Sequence, residues 1–594
     1  MRTIYQQTCC LIKKLYLASL VLMFFLWSIC FYYQIYKHPT YFHASQKNRF
    51  KIHTIQPKRG SILDRHGKTL AYNLPSYNVI LDRTNLSSKN TTKIIENLDL
   101  SLNQLAIIKR KLKWSPHHQP VLIQPNISKT EALEILIKQP SVLSVQAQPK
   151  RSYPFGSYTS TILGYLANDE NSSPYQPLKG QSGIEKFYDK ELKGRPGYLH
   201  IETNAKGTQR KTINQTPSIG GNQLILTLDL DLQKTAVNVL KPYKGAVVAL
   251  APYTGDILAM VSSPTYNANE FIDPNISIYE LLNNPNKPLF NRAIKGQFPL
   301  ASTIKPFLSL YALDQEIISP EHTIHDVGFF QVNSKSRKFK DWKASGHGKV
   351  NLYKAIVVSC DTFFYELSLK LGIKGIQTAL SPFGFGEPTH VDLPHEKKGF
   401  IPSKAWKMKK YNQPWYLGDT IISGIGQGAV LSTPLQLAAA TATLATRGKH
   451  YQPRLVKSIL TQNTQIKHMP IHLLNTVQYK ESTWDAVIKA MKGVVTDPIG
   501  TGHRFGSPSY SVAAKTGTAQ VISQQKINPK SQSNLHDHSL FIAFAPINQP
   551  EIAIAVILEN NPNAPTVARQ VLDQFFKLSK THNDNSLNKS DMTS

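Results

Sequence analysis

The chain has 594 residues, 41% of them hydrophobic and 18% charged, which excludes wholesale disorder and leaves room for about two to four domains. Its 68 Lys and Arg against 38 Asp and Glu give a formal charge of +30, as expected for an anionic partner (nucleic acid, a membrane surface or a phosphate-bearing substrate) or for lysine-rich surface drift. Four cysteines are too few for a disulfide scaffold.

Leu15–Tyr33 is an uncharged run of 19 residues, at about 1.5 Å per residue nearly long enough to cross the hydrocarbon layer. Trp27, Phe31, Tyr32 and Tyr33 cluster at its outer end, and Arg2, Lys13 and Lys14 precede it without an acid. The positive-inside rule therefore predicts a cytoplasmic tail over 1–14, an uncleaved signal anchor over 15–34 and an external body. The run is long for a cleaved signal peptide, and no small-x-small site follows it. Nucleic acid is then not an expected partner. Cys9, Cys10 and Cys30 lie in the tail and span, which leaves Cys360 as the one external thiol and rules out a disulfide within the body.

A polar linker is expected at Pro39–Arg49. Over 52–215, short alternating runs such as Tyr77–Leu81 and Pro120–Ile123, frequent Gly, Pro and Asn, and one helical segment at Lys129–Ile137 predict an irregular α+β domain. Gln223–Leu228 reads as a strand and Asp231–Leu240 as an amphipathic helix. Beyond residue 243 the texture changes. Strands Gly245–Leu250 and Ile257–Ser262 flank a Pro/Gly turn, and helices follow at Thr303–Leu313, Thr362–Leu371 and Pro434–Thr443. Strands return at Ser511–Ala514, Leu540–Phe544 and Ile552–Leu558, before a final amphipathic helix at about Pro565–Lys577. Strands at both ends of 243–577 predict one sheet closed by the two ends, with a helical insertion. The polar residues 579–594 are expected to be disordered.

Three short motifs carry chemistry. Ser302-Thr303-Ile304-Lys305 is an S-x-x-K; Ser523/Lys526 and Ser586/Lys589 match it too, but only Ser302 opens an apolar helix after a turn. Positions i and i+3 share a helix face, so Lys305 is expected to reach the Ser302 hydroxyl and serve as the base it needs. Ser359-Cys360-Asp361 is an S-x-[ND] between helices. Lys515-Thr516-Gly517-Thr518 closes an apolar strand, where glycine permits close backbone approach and the lysine can hold a carboxylate. The spacings are 57 and 156 residues.

That order is similar to the signature of serine penicillin-recognising enzymes. The chain resembles the class B penicillin-binding proteins, and among them the penicillin-binding protein 2 group. Arg59-Gly60-Ser61-Ile62-Leu63-Asp64-Arg65-His66-Gly67 resembles the family's R-G-x-I-x-D-R-x-G, and Gly183-Ile184-Glu185 with Tyr188, Leu192, Gly194 and Gly197 resembles G-I-E…Y…L-x-G-x-x-G. Subgroup character comes from Asp341-Trp342-Lys343, Gly346-His347-Gly348, Gly424–Gly428 with Thr433-Pro434, and His538…Ala543-Phe544-Ala545-Pro546. Asp361, where septal relatives usually carry asparagine, points the same way. Ala301 departs from the usual glycine, and Thr516 from a frequent serine.

The resemblance implies an α+β fold: a transmembrane helix, a pedestal (dimerisation-type) domain over 52–215, and a transpeptidase domain over 243–577 with a central antiparallel sheet flanked by helices. It implies a peptidoglycan D,D-transpeptidase of cell elongation, anchored in the inner membrane with its body in the periplasm. Ser302 would form the acyl-enzyme with a stem peptide or a β-lactam. Lys305 would be the first base, Ser359 a proton relay and Asp361 its orienter. Lys515, Thr516, Gly517 and Thr518 would line the substrate strand, with N–H groups of Ser302 and Thr518 as oxyanion donors. A RodA-type glycan polymerase and other elongation proteins would be partners.

Asp326, Asp341, His347 and Cys360, with 14, 5 and 12 residues between them, are an acceptable tetrahedral set but match no compact finger. On residue types alone, Cys360 reads as a buried small residue. Resemblance to members with a metal at matching positions implies one structural Zn²⁺. Carboxypeptidase, β-lactamase-like hydrolase and septal transpeptidase share the motifs, whereas a bifunctional polymerase lacks its domain here and a sensor lacks an output domain. Gly424–Gly428 lacks the strand–helix context of a nucleotide loop, and His503 and His538 are expected to be structural.

Overall fold

Every position of Gly245–Leu250 and of Ile552–Leu558 is buried, which only a strand covered on both faces explains. The computed structural model describes residues 2–81, 95, 102–114, 121–138, 143–167, 178–203, 209–273, 276–520 and 537–590. In it Ile257–Ser263, Gly245–Leu250, Ile552–Leu558, His538–Ala545 and Ala513–Ala519 lie side by side as one antiparallel sheet. The chain ends thus close the sheet, as the sequence predicts.

The strand period of two sorts the side chains. Ala246, Val248 and Leu250 enter the larger core under the helical insertion, with Leu435 and Ala438 of helix Pro434–Ala445. Val247 and Ala249 face the other way, onto Leu232 and Ala236 of helix Leu230–Leu240 and Val567 and Val571 of the last helix. Asp229 caps Leu230–Leu240 by accepting from the N–H groups of Asp231 and Leu232.

Several elements differ from expectation. Lys515–Thr518 lies inside strand Ala513–Ala519 and not at the close of one, because its backbone pairs with His538–Ala545. Helix Thr362–Leu371 extends to Asp361–Leu380, with Gly372 (φ 63°) breaking its interior. Helices Glu481–Thr496 and Leu102–Trp114 were not expected. The polar linker is instead helix His38–Arg49, started by Pro39 in its first turn, where proline loses no hydrogen bond. The final helix spans Ala564–Ser590 and includes Ser586/Lys589, so it carries the polar tail onward, since helix bonds are internal to the segment. Ser523/Lys526 lies outside the described residues.

The pedestal holds a ribbon of Phe50–Ile55, Gly197–Thr203 and Gln209–Thr216, and a second sheet of Val121–Ile127, Tyr77–Leu81 and Leu143–Ala147. A six-stranded sheet ties it to the larger domain: Ile466–His468, Val456–Leu460, Gln223–Leu226, Ile62–Leu63, Thr69–Leu74 and Lys150–Ser152. At its base the two pedestal motifs meet. Glu185, fully buried, accepts from Arg59 Nε (2.6 Å), Arg151 Nε (2.8 Å) and Tyr153 Oη (3.2 Å). Burial opposes the charge, but Arg151 and Arg59 outweigh it and hold the carboxyl below its usual range.

Glu185→Ala would leave the buried Arg151 guanidinium uncompensated and Arg59 with Asp189 alone, and is expected to cost about 3–5 kcal/mol. Calorimetry of the full chain in detergent checks this, and an unchanged transition would refute it. Because the folded carboxyl titrates below its unfolded value, the contribution is complete above the unfolded pKa of about 4.3 and lost as pH falls through the folded value. Glu185→Gln should therefore flatten the acid limb of stability.

Candidate functional site

The three motifs converge. Ser302 sits in the 3₁₀ turn Ala301–Ile304 leading into helix Lys305–Asp314, Ser359 precedes helix Asp361–Leu380, and Lys515 lies on the edge strand of the central sheet. Gly517 lets that strand pass under the turn, since a Cβ there would lie 3.0 Å from Thr303 Cγ2.

Lys305 and Lys515 are both fully buried, with Ser359 between them. Lys515 Nζ donates to Ser359 Oγ at 2.8 Å and to Thr516 O at 3.0 Å. Lys305 Nζ lies 3.4 Å from Ser359 Oγ and donates to Ser359 O at 2.9 Å and to Asp361 Oδ1 at 2.7 Å. It also lies over the Phe364 ring, 5.1 Å from the centroid. Asp361 thus balances one of the two amines. Burial pulls Lys515 well below the usual lysine range, and the Lys305 charge adds to this.

Two differences from expectation follow. No hydrogen bond joins Lys305 to the Ser302 hydroxyl, because its donors are committed to Ser359 and Asp361. Lys515 is turned inward onto Ser359 and is not presented to a substrate carboxylate. The half-buried Thr516 and exposed Thr518 remain on the open side. Thr516 Oγ1 lies 2.7 Å from Thr501 Oγ1, a partner that no motif marks.

The backbone is forced at two of these positions: Ala301 (φ 47°) and Ser359 (φ 56°) are both left-handed. Glycine would take the first of these conformations without strain. Ala301 N–H donates to Gly426 O at 2.8 Å, and Gln427 Nε2 donates to Thr518 O at 3.0 Å, so the Gly424–Gly428 loop supports both sides of the nucleophile. His538 accepts from Asn560 N–H and packs edge-on to Phe298, a structural role.

Behind the Ser359 loop, Asp326, Asp341, His347 and Cys360 bring one ligand atom each to within 4.8 Å of one another. The two carboxylates and the thiol are buried. His347 Nδ1 is 2.7 Å from Asp326 Oδ2, while His347 Nε2 is buried without a hydrogen-bond partner. Burial pushes the Cys360 thiol up to about 12, so a thiolate there requires a cation. Converging buried carboxylates, an orphaned imidazole nitrogen and a soft sulfur donor fit a tetrahedral divalent metal. Asp341 Oδ2 also accepts from Asp361 N–H (2.7 Å) and Thr362 N–H (3.2 Å), which ties the cluster to the start of the helix that carries Asp361.

Known proteins match this chain over most of its length. Residues 245–577 match the model of the penicillin binding protein transpeptidase domain, and 54–226 that of the penicillin-binding protein dimerisation domain. The chain is 35% identical to peptidoglycan D,D-transpeptidase MrdA of Haemophilus influenzae, over 94% of this chain and 90% of that protein. It is 36% identical to the Acinetobacter baumannii MrdA, over 92% and 84%. Among solved structures it resembles Helicobacter pylori PBP2 in complex with MreC (TM-score 0.76, 30% identity, 89% of this chain and 99% of that one). Pseudomonas aeruginosa PBP2 in complex with WCK 5153 is also similar (TM-score 0.65, 32% identity, 88% and 95%).

Gly426 has φ 70°, and a Cβ there would lie 2.4 Å from Ala301 O. Gly426→Ala should therefore lower stability by about 2 kcal/mol or more. Gly428→Ala, where the nearest atom is the side-chain Ile422 Cγ2 at 3.3 Å, should cost less. Equal melting temperatures for the two variants would refute this.

Proposed function

Because this chain belongs to the penicillin-binding protein transpeptidase family and is an enzyme, a peptidoglycan D,D-transpeptidase, we propose that Ser302 is its nucleophile and that Ser359 moves the proton between two buried lysines. The observation that carries this is the continuous path from Lys305 Nζ through Ser359 Oγ to Lys515 Nζ. Two buried amines so close hold one proton between them more cheaply than two. When that proton rests on Lys515, Lys305 is free to take the Ser302 proton.

Ser302 Oγ then attacks the penultimate D-alanine carbonyl of a stem peptide, with the N–H groups of Ser302 and Thr518 facing the developing oxyanion. The C–N bond breaks as Ser359 returns the proton to the departing D-alanine. An amine from a neighbouring stem resolves the ester and makes the cross-link. Thr516 and Thr518 hold the substrate strand, with Gly517 beneath it, and β-lactams follow the first half of this path. Asp326, Asp341, His347 and Cys360 would hold one Zn²⁺, which as a closed four-ligand ion supplies cross-bracing of the Ser359 loop and no open position.

Helix Arg2–Phe31 and the turn after it are long and apolar enough to cross a membrane. The N-terminus is then cytoplasmic, the body periplasmic and the role lateral wall elongation. The Helicobacter relative is solved with MreC, and another similar structure (25% identity, TM-score 0.68) is described as a peptidoglycan synthase complex coordinating polymerization and crosslinking. A RodA-type polymerase at the anchor and pedestal, together with elongation-complex proteins, is the matching partnership for this chain.

Mass spectrometry after labelling with a fluorescent penicillin should place one adduct on Ser302 and none on the Ser302→Ala protein; label elsewhere overturns the assignment. Acylation should fall on acidification, as the second amine is protonated, through a titration well below the ordinary lysine value of about 10.4. Lys305→Arg, always protonated and so unable to take the Ser302 proton, should slow acylation about 100-fold or more. Metal analysis should find one zinc per chain, and Cys360→Ser should lose it with a fall of about 5–10 °C in melting temperature. A purified protein without zinc would refute the metal assignment.

A further inference from the structure

Beside the nucleophile loop lies a second cleft, of about 680 Å³, within the size range of a ligand site. One wall is aromatic: Phe400 and Trp406 have ring centroids 4.8 Å apart, Trp406 and Tyr411 5.5 Å, and Trp415 lies alongside. The lining continues through Ser423, Gly428 and Leu431, which bracket the loop that supports Ser302, and Leu431 is bridged to Phe400. Leu431 pairs with Pro299, three residues before the nucleophile, and Gln427 reaches Thr518.

The charge around this cleft is mostly positive. Residues 397–418 contain six lysines (397, 398, 404, 407, 409 and 410) and no acid. Lys407 is buried and paired with Asp419, which uses the one carboxylate on the lining. Lys398 and Lys410, both exposed on the lining, have no acidic partner among the described residues. The Lys410 ammonium instead lies over the rings of Trp406 (5.4 Å) and Tyr411 (5.2 Å). Flat aromatic faces beside uncompensated cations suit a ligand with apolar sugar faces and free carboxylates. A purely apolar peptide would leave the cations unused, and a simple anion would leave the rings unused.

We propose that this cleft is a binding subsite for the wall strand beyond the reacting peptide terminus. An N-acetyl sugar would lie on Trp406 and Tyr411, and carboxylates of its attached stem would meet Lys398 and Lys410. The proposal rests on the D,D-transpeptidase reading and adds to it where the glycan lies. Strand held there bears on the loop under Ala301, so occupancy and nucleophile placement share one wall.

The test uses the full chain in detergent and soluble, uncross-linked glycan strands bearing pentapeptide stems. Lys398→Glu/Lys410→Glu and, separately, Trp406→Ala should weaken strand binding at least 10-fold. They should raise KM for cross-linking with kcat little changed, and leave penicillin acylation of Ser302 within 2-fold. Strands with amidated stem carboxylates should bind the parent correspondingly less and be insensitive to the lysine changes. Unchanged strand affinity, or penicillin acylation falling in parallel with it, overturns the subsite. Failure of the parent chain to acylate at Ser302 would instead sink the transpeptidase assignment itself.

Discussion

One serine hydroxyl between two buried amines sets the terms for this molecule. Water cannot screen Lys305 from Lys515, so the site tolerates both only because Asp361 balances one and the other is held toward neutrality. Much of the surrounding structure keeps Ser359 Oγ in place. Its backbone is left-handed, its helix begins one residue past Cys360, and Asp341 fixes that start through two N–H groups. The cluster behind the loop and the chemistry in front of it are therefore two sides of one short segment. Cys360 faces one way and its neighbours Ser359 and Asp361 the other.

The nucleophile is placed by different means. Ser302 is held from below by strand Ala513–Ala519, which approaches closely because Gly517 has no side chain, and from the side by Gly426. Both contacts are backbone to backbone or nearly so, which gives position without adding polar side chains to the reaction space. The Gly424–Gly428 loop, which superficially resembles a phosphate cradle, is instead a bracket between the nucleophile turn and the substrate strand. Part of the +30 charge also finds a location, in the acid-free run of residues 397–418 beside that bracket.

What was legible in the sequence follows from what is local. Uniformly apolar strands such as Ile552–Leu558 and the period of Pro434–Ala445 are written in consecutive residues, and the motif order identified the chemistry. Helix Glu481–Thr496 is legible too, since Trp484, Val487, Ile488, Met491 and Val494 recur at helical spacing. Other features depend on partners far along the chain. The inward turn of Lys515 depends on Ser359, 156 residues earlier. The strand around Lys515 extends because of its pairing with His538–Ala545, and the six-stranded sheet joins residues near 62, 224 and 459. Of the four cluster residues the sequence shows only the donor types; their convergence required the fold.

The central sheet also dictates an order of assembly. Gly245–Leu250 can pair at once with Ile257–Ser263, its neighbour across a short turn, but its other edge waits for Ile552–Leu558. Some three hundred residues must be made before that edge is covered. Meanwhile a largely apolar hairpin stands with a bare edge, the kind of surface that recruits the wrong strand. In a chain built this way the hazard lies in the unfinished chain and not in the finished fold. A truncation anywhere before residue 552 leaves the Gly245–Leu250 edge permanently open.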